Sequence, residues 1–179
     1  MQVNGDILGI LTAEGVLFDT TVWIRIFRGG PSPLQAMVDG IVQGRRAYST
    51  GIVLAELLQG ARTSEAMQTV ESFIARTNFL ETTGDVWRAA GLLSGSLRSK
   101  GLTVPLADIL ITTLSQRHGL SILTLDNHFR QMADHTPLRL HPLPGDYPQG
   151  PSPSGLRAAE ARRKTPPRSQ PKKKRHAGA

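Results

Sequence analysis

Four carboxylates stand in positions that local structure alone does not require. Asp19 closes the apolar run "GVLFD", Glu56 interrupts "GIVLAELLQGA", Asp108 opens the helical run "PLADILITTLSQRHG", and Asp126 follows "SILTL". Gathered together, such groups repel and raise one another's pKa unless a cation lies between them. The chain has no cysteine, and hard oxygen donors without Cys or a His pair select Mg²⁺ or Mn²⁺ rather than zinc. Mg²⁺ takes one or two carboxylates directly and keeps several waters, which leaves the other acids to orient water or hold a second ion. An ion held in this way stabilises charge developing on a phosphate and makes an attacking water more acidic. The chemistry that suits the set is hydrolysis of a phosphodiester.

Each acid also has a structural reading. Asp108 in the first turn of a helix interacts favourably with the helix dipole, by about 0.3–1 kcal/mol. Asp126 before "NHF" and Asp19 before "TT" both suit a turn or a helix N-cap. Glu56 is harder to explain this way, because Val53, Leu54, Leu57 and Leu58 surround it with apolar neighbours.

The elements that would position the four acids alternate in type. Strand-like runs are expected at 16–18, 46–50, 78–82, 121–125 and 138–143, with helical patterns between them. Leu34, Met37, Val38, Ile41 and Val42 recur at helical spacing, as do Leu54, Leu57, Leu58 and Ala61, and Val86, Ala89, Ala90, Leu93 and Leu97. Gly101 is placed to stop the last of these helices; Pro105 and Gly119 bracket the next. Strands alternating with helices predict an α/β fold, a mostly parallel sheet of about five strands covered on both faces. Ligands of such sheets collect outside the carboxyl ends of the strands. Asp19 and Asp126 are expected at that edge, Glu56 close to it, and Asp108 with them if its helix begins there.

Charge divides the chain. Residues 1–144 hold 12 Lys/Arg and 12 Asp/Glu, whereas residues 145–179 hold nine Lys/Arg against Asp146 and Glu160, so the whole net charge of +7 belongs to the second part. The reading is a folded domain over 1–144, with its core at about 15–143, and a disordered basic tail rich in Pro, Gly and Ser over 145–179. "PKKKR" in that tail suits nucleic acid by charge alone, or is simply solubilising. The lack of cysteine fits a reducing compartment. No apolar run approaches the roughly 18 residues of a membrane span, and the N-terminus lacks the pattern of a signal peptide. A cytoplasmic protein is expected.

"LFDTTVWIRIF", "LAELLQGAR" and "PLADILITTLSQRHGLSILTLDNHF", in that order, resemble the PIN-domain ribonucleases, specifically the VapC toxins of type II (VapBC) toxin–antitoxin systems. The resemblance spans roughly residues 15–143. It implies a three-layer α/β/α sandwich, Mg²⁺- or Mn²⁺-dependent endonucleolytic cleavage of RNA, homodimerisation, and neutralisation by a cognate VapB-type antitoxin. Asp19, Glu56, Asp108 and Asp126 match the family's acidic positions. Thr21 matches a small hydroxyl residue that holds the site's carboxylates or a metal-bound water. Many relatives carry a further acid two residues after the last aspartate; this chain has His128 there, read as a surface histidine or as a partner of a phosphate or metal-bound water. Thr124 at the strand end faces the same site.

On this reading Asp19, Asp108 and Asp126 hold the ion, Glu56 orients or deprotonates water, and the products carry a 5′-phosphate and a 3′-hydroxyl. Arg25, Arg28, Arg45, Arg46, Arg98 and Lys100 are candidates for local RNA contacts, and Arg62 for antitoxin or substrate. A haloacid-dehalogenase-type phosphatase is disfavoured because Thr21 stands where that chemistry needs a second aspartate. The remaining alternative is a catalytically inactive PIN-like module that binds RNA or antitoxin.

Overall fold

Short strands of three or four residues generate the sheet, and two of them, Val16–Phe18 and Ser121–Leu123, are buried throughout. The computed structural model describes residues 15–29 and 32–145. The expected basic tail, apart from Gly145, lies outside the described residues. Four strands, β1 (Val16–Phe18), β2 (Ala47–Thr50), β3 (Asn78–Leu80) and β4 (Ser121–Leu123), pair in the order β3-β2-β1-β4, and every pairing is parallel. The helices are α1 (Thr20–Arg28), α2 (Pro33–Gln43), α3 (Gly51–Gly60), α4 (Ser64–Ile74), α5 (Gly84–Ser99), α6 (Leu106–His118) and α7 (Asn127–Ala133).

The strand order fixes where a ligand can bind. From β1 the chain moves outward to β2 and β3, then crosses back past β1 to lay down β4. Right-handed crossovers require the outward connections to lie on one face and the return on the other. The loops leaving β1 and β4 therefore diverge, opening a crevice at their carboxyl ends. Phe18 is in register with Leu123, and the Asp19 amide donates to the Leu123 carbonyl at 3.0 Å. That last bond fixes the two loop entrances side by side.

Caps account for most helix starts. Ser32 caps α2 ahead of Pro33, and Thr50 and Thr63 cap α3 and α4, each hydroxyl accepting a first-turn amide. Gly119 ends α6 in the left-handed conformation, φ 65°, which only glycine adopts at little cost. All residues of β1 and β4 are buried, and Phe18, Trp23, Phe27 and Phe73 form an aromatic cluster joining β1 to α1 and α4. Helix α6 packs against α3, α5 and α7 and is buried from Asp108 to Ser115. No helix among the described residues is long and apolar enough to cross a membrane.

Two details differ from the sequence reading. The fifth strand is reduced to one parallel bridge between Ile122 and Leu140, with Arg139 and His141 supplying its two backbone bonds to Ile122. Pro137, Pro142 and Pro144 have no amide to donate, so the ladder cannot extend. Helix α3 buries Val53 and Leu57, with Leu54 and Leu58 only half-buried. Of the two local readings of Asp126, turn or helix N-cap, the structure shows the N-cap, of α7.

Candidate active site

Asp19 is buried at the end of β1 and is the N-cap of α1. Its Oδ2 accepts from the Thr21 amide at 3.3 Å, from the Thr21 hydroxyl, and from the Thr124 hydroxyl at 2.9 Å. Both hydroxyls are themselves oriented by the loop after β4. Thr21 Oγ1 accepts from the Leu125 amide at 3.0 Å, and Thr124 Oγ1 accepts from the Asp126 amide at 2.9 Å. Each hydroxyl thus accepts an amide proton and donates its own to the carboxylate, which when ionised can only accept. Burial nevertheless pushes the Asp19 carboxyl up to about 6, against the pull of these donors, and the nearby charge of Asp126 adds to the rise.

Asp126 caps α7, with Oδ1 accepting from the His128 amide at 2.9 Å. Asp108, in the first turn of α6, lies across the crevice. His128 Nδ1 stands 2.9 Å from Asp108 Oδ2 and 3.5 Å from Asp126 Oδ1, so the imidazole bridges the two carboxylates. Burial first, then the charges of Asp19 and Asp126, push the Asp108 carboxyl up to about 7; His128 partly offsets this. Glu56, half-buried on α3, does not join this group directly. Its Oε2 accepts from the Thr20 hydroxyl at 2.6 Å. Since Thr20 follows Asp19, Glu56 is held next to the crevice, where it lines a groove with Ile24, Phe27 and Arg28.

The PIN domain model matches residues 16–135, nearly the whole described region. The chain belongs to the PIN domain family. This PIN domain is 29% identical over 122 residues to the ribonuclease VapC19 of Mycobacterium tuberculosis, covering 68% of this chain and 97% of that protein. Among solved structures it resembles a DNA-bound VapBC from Salmonella typhimurium (25% identity, 70% of this chain and 96% of that one, TM-score 0.60). VapBC2 from Rickettsia felis, bound to a promoter DNA fragment, shares the fold at 20% identity, with coverages of 70% and 96% and a TM-score of 0.60.

The donor set of this PIN domain fits a divalent cation. Asp108, Asp126 and His128 each present a ligand atom, and the three atoms lie within 4.8 Å of one another. Burial first, then neighbouring carboxylates, raise the pKa values of Asp19 and Asp108, and a cation would relieve that repulsion. Asp19 and Asp126 keep the capping roles expected of them while both lie at the crevice, because the caps are what aim them.

Of the residues singled out in the sequence, Asp19, Thr21, Asp108, Thr124, Asp126 and His128 come together at the β1–β4 edge. Arg45 and Arg46 precede β2 and so stand at the opposite edge of the parallel sheet, away from the acids. Arg28 lies on the groove that holds Glu56. The sequence reading passed over Thr20. The doublet "TT" after Asp19 was its available signal, one hydroxyl serving Asp19 and the other Glu56.

Proposed function

We propose that this PIN domain is a VapC-type toxin, a Mg²⁺- or Mn²⁺-dependent endoribonuclease of the cytoplasm that a cognate VapB-type antitoxin keeps inactive. The observation that carries the reading is the convergence of Asp19, Asp108 and Asp126 on one crevice with their charges unbalanced. The similarity to VapC19 along nearly that protein's whole length supports it. Asp108 and Asp126 would hold the ion, with Asp19 contributing directly or through water. The ion, when bound, neutralises charge on the scissile phosphate and acidifies the attacking water.

The remaining work belongs to the chain's own groups. Thr21 and Thr124 hold Asp19 Oδ2, which orients the carboxylate so that Oδ1 faces away from the two hydroxyls. Thr20 holds Glu56 Oε2, leaving Oε1 to accept a proton from water during in-line displacement. The products would carry a 5′-phosphate and a 3′-hydroxyl. The basic segment 145–179 adds sequence-independent attraction for RNA to a body whose charges balance, and the active species is a homodimer.

The test is incubation of antitoxin-free protein with total bacterial RNA, with Mg²⁺ or Mn²⁺, with EDTA, and with Asp19→Asn in parallel. Discrete cleavage lost in both controls is the expected result. Intact RNA after incubation with folded protein and either ion would leave an inactive binding module instead.

A further inference from the structure

The mechanism above leaves His128 unused, although its imidazole contacts two of the site's carboxylates. We propose that His128 is itself a ligand of the ion, through Nδ1, and that this nitrogen makes the centre select Mn²⁺ over Mg²⁺. The proposal rests on the divalent-cation reading of the crevice and adds the identity of the ion.

Three features of the site lead to it. Asp126 and His128 are locked together by the cap of α7, since the carboxylate accepts the histidine's own amide proton at 2.9 Å. The cap fixes the His128 backbone beside Asp126, and the imidazole is placed by its own contact with Asp108 Oδ2 at 2.9 Å. Their spacing also fits one coordination sphere. Ligands bound at about 2.0–2.2 Å to an octahedral ion sit roughly 3 Å from their neighbours and roughly 4.3 Å from the ligand opposite. Nδ1 lies 2.9 Å from Asp108 Oδ2 and 3.5 Å from Asp126 Oδ1, and the three donor atoms lie within 4.8 Å of one another. Finally, the imidazole side chain is about a quarter exposed, 26% against 12% for Asp108 and 4% for Asp126. It forms the open rim of the crevice, where waters or a phosphate could complete the sphere.

The preference follows from the donor chemistry. Mg²⁺ is bound by charge and favours oxygen, whereas imidazole nitrogen gains affinity along the first-row transition series. An imidazole donor brings no negative charge to the ion, whereas a further carboxylate would, and that difference weakens Mg²⁺ most. The ring supplies in exchange a nitrogen that Mn²⁺ uses better.

Electron paramagnetic resonance on the full chain without RNA tests this independently of activity. Mn²⁺ is titrated into wild type, His128→Asp and His128→Gln, with Mg²⁺ as competitor and folding checked by circular dichroism. Bound Mn²⁺ should show ¹⁴N coupling in pulsed spectra of wild type and in neither variant. Displacing half the Mn²⁺ should take about tenfold less Mg²⁺ in His128→Asp than in wild type. Bound Mn²⁺ without ¹⁴N coupling in wild type, or unchanged Mg²⁺ competition in folded His128→Asp, would overturn the role of His128 and leave the divalent centre standing. Failure of wild type to bind Mn²⁺ at all would overturn the centre itself.

Discussion

Asp108→Asn should stabilise the metal-free protein above neutral pH, although it removes a central acid. Burial and two neighbouring carboxylates raise the Asp108 carboxyl from 3.8 to about 7. At about 1.4 kcal/mol per pKa unit, keeping this group ionised in the folded state costs up to about 4 kcal/mol. Coupling to Asp19 and Asp126 spreads the cost, so about 2–4 kcal/mol is the expected gain. The folded carboxyl titrates above the unfolded one, so between pH 4 and 7 the folded state keeps a proton that the unfolded chain has lost. Stability from this group is therefore complete below about pH 4 and is lost as pH rises through about 7. Urea unfolding in EDTA, followed by the fluorescence of buried Trp23, should show the variant ahead of wild type at pH 8 and level with it at pH 4. Saturating Mn²⁺ should remove most of the variant's advantage at pH 8, since an ion at a hundred times its Kd adds about 2.7 kcal/mol to the protein that binds it. A variant less stable than metal-free wild type at pH 8, or a difference independent of pH, would refute the electrostatic account.

Thr124→Val keeps the shape of the side chain but removes a donor to Asp19 and an acceptor for the Asp126 amide. It should cost about 1–3 kcal/mol, raise the Asp19 carboxyl further, and move the acidic limb of the pH–rate profile upward. Thr20→Val frees Glu56; kcat should fall roughly tenfold or more with KM unchanged, and thermal stability should change by less than about 1 kcal/mol. Phe129 is fully buried, so Phe129→Ala should cost about 3–5 kcal/mol in urea unfolding. Because Phe129 anchors α7, Mn²⁺ affinity should drop with it.

Much of this site was legible because its residues sit where chain punctuation falls. Asp19 and Asp126 end buried runs, and the ends of parallel strands share an edge by construction. Pro105 and Gly119 bracket α6, and that bracket alone puts Asp108 in its first turn. What escaped the sequence depends on contacts between distant elements. Thr20 and Glu56 are 36 residues apart, and their bond exists because α1 packs on α3. His128 reads as a surface residue until α7 is seen to swing it onto Asp108, 20 positions away. Helix α7 has only seven residues, and Phe129 and Met132 are its only buried ones, too few for a periodic signal. Helix α3 is apolar on most sides, so periodicity could not choose Val53 and Leu57 as its inward face.

A divalent cation held by the acids at the β1–β4 edge is the centre of the proposed chemistry. Anomalous scattering from crystals soaked in Mn²⁺ would test it most directly. A peak within bonding distance of Asp108 and Asp126, absent from Asp126→Asn crystals, is the predicted result. An empty crevice at saturating Mn²⁺ in a crystal whose site is free of lattice contacts would contradict it.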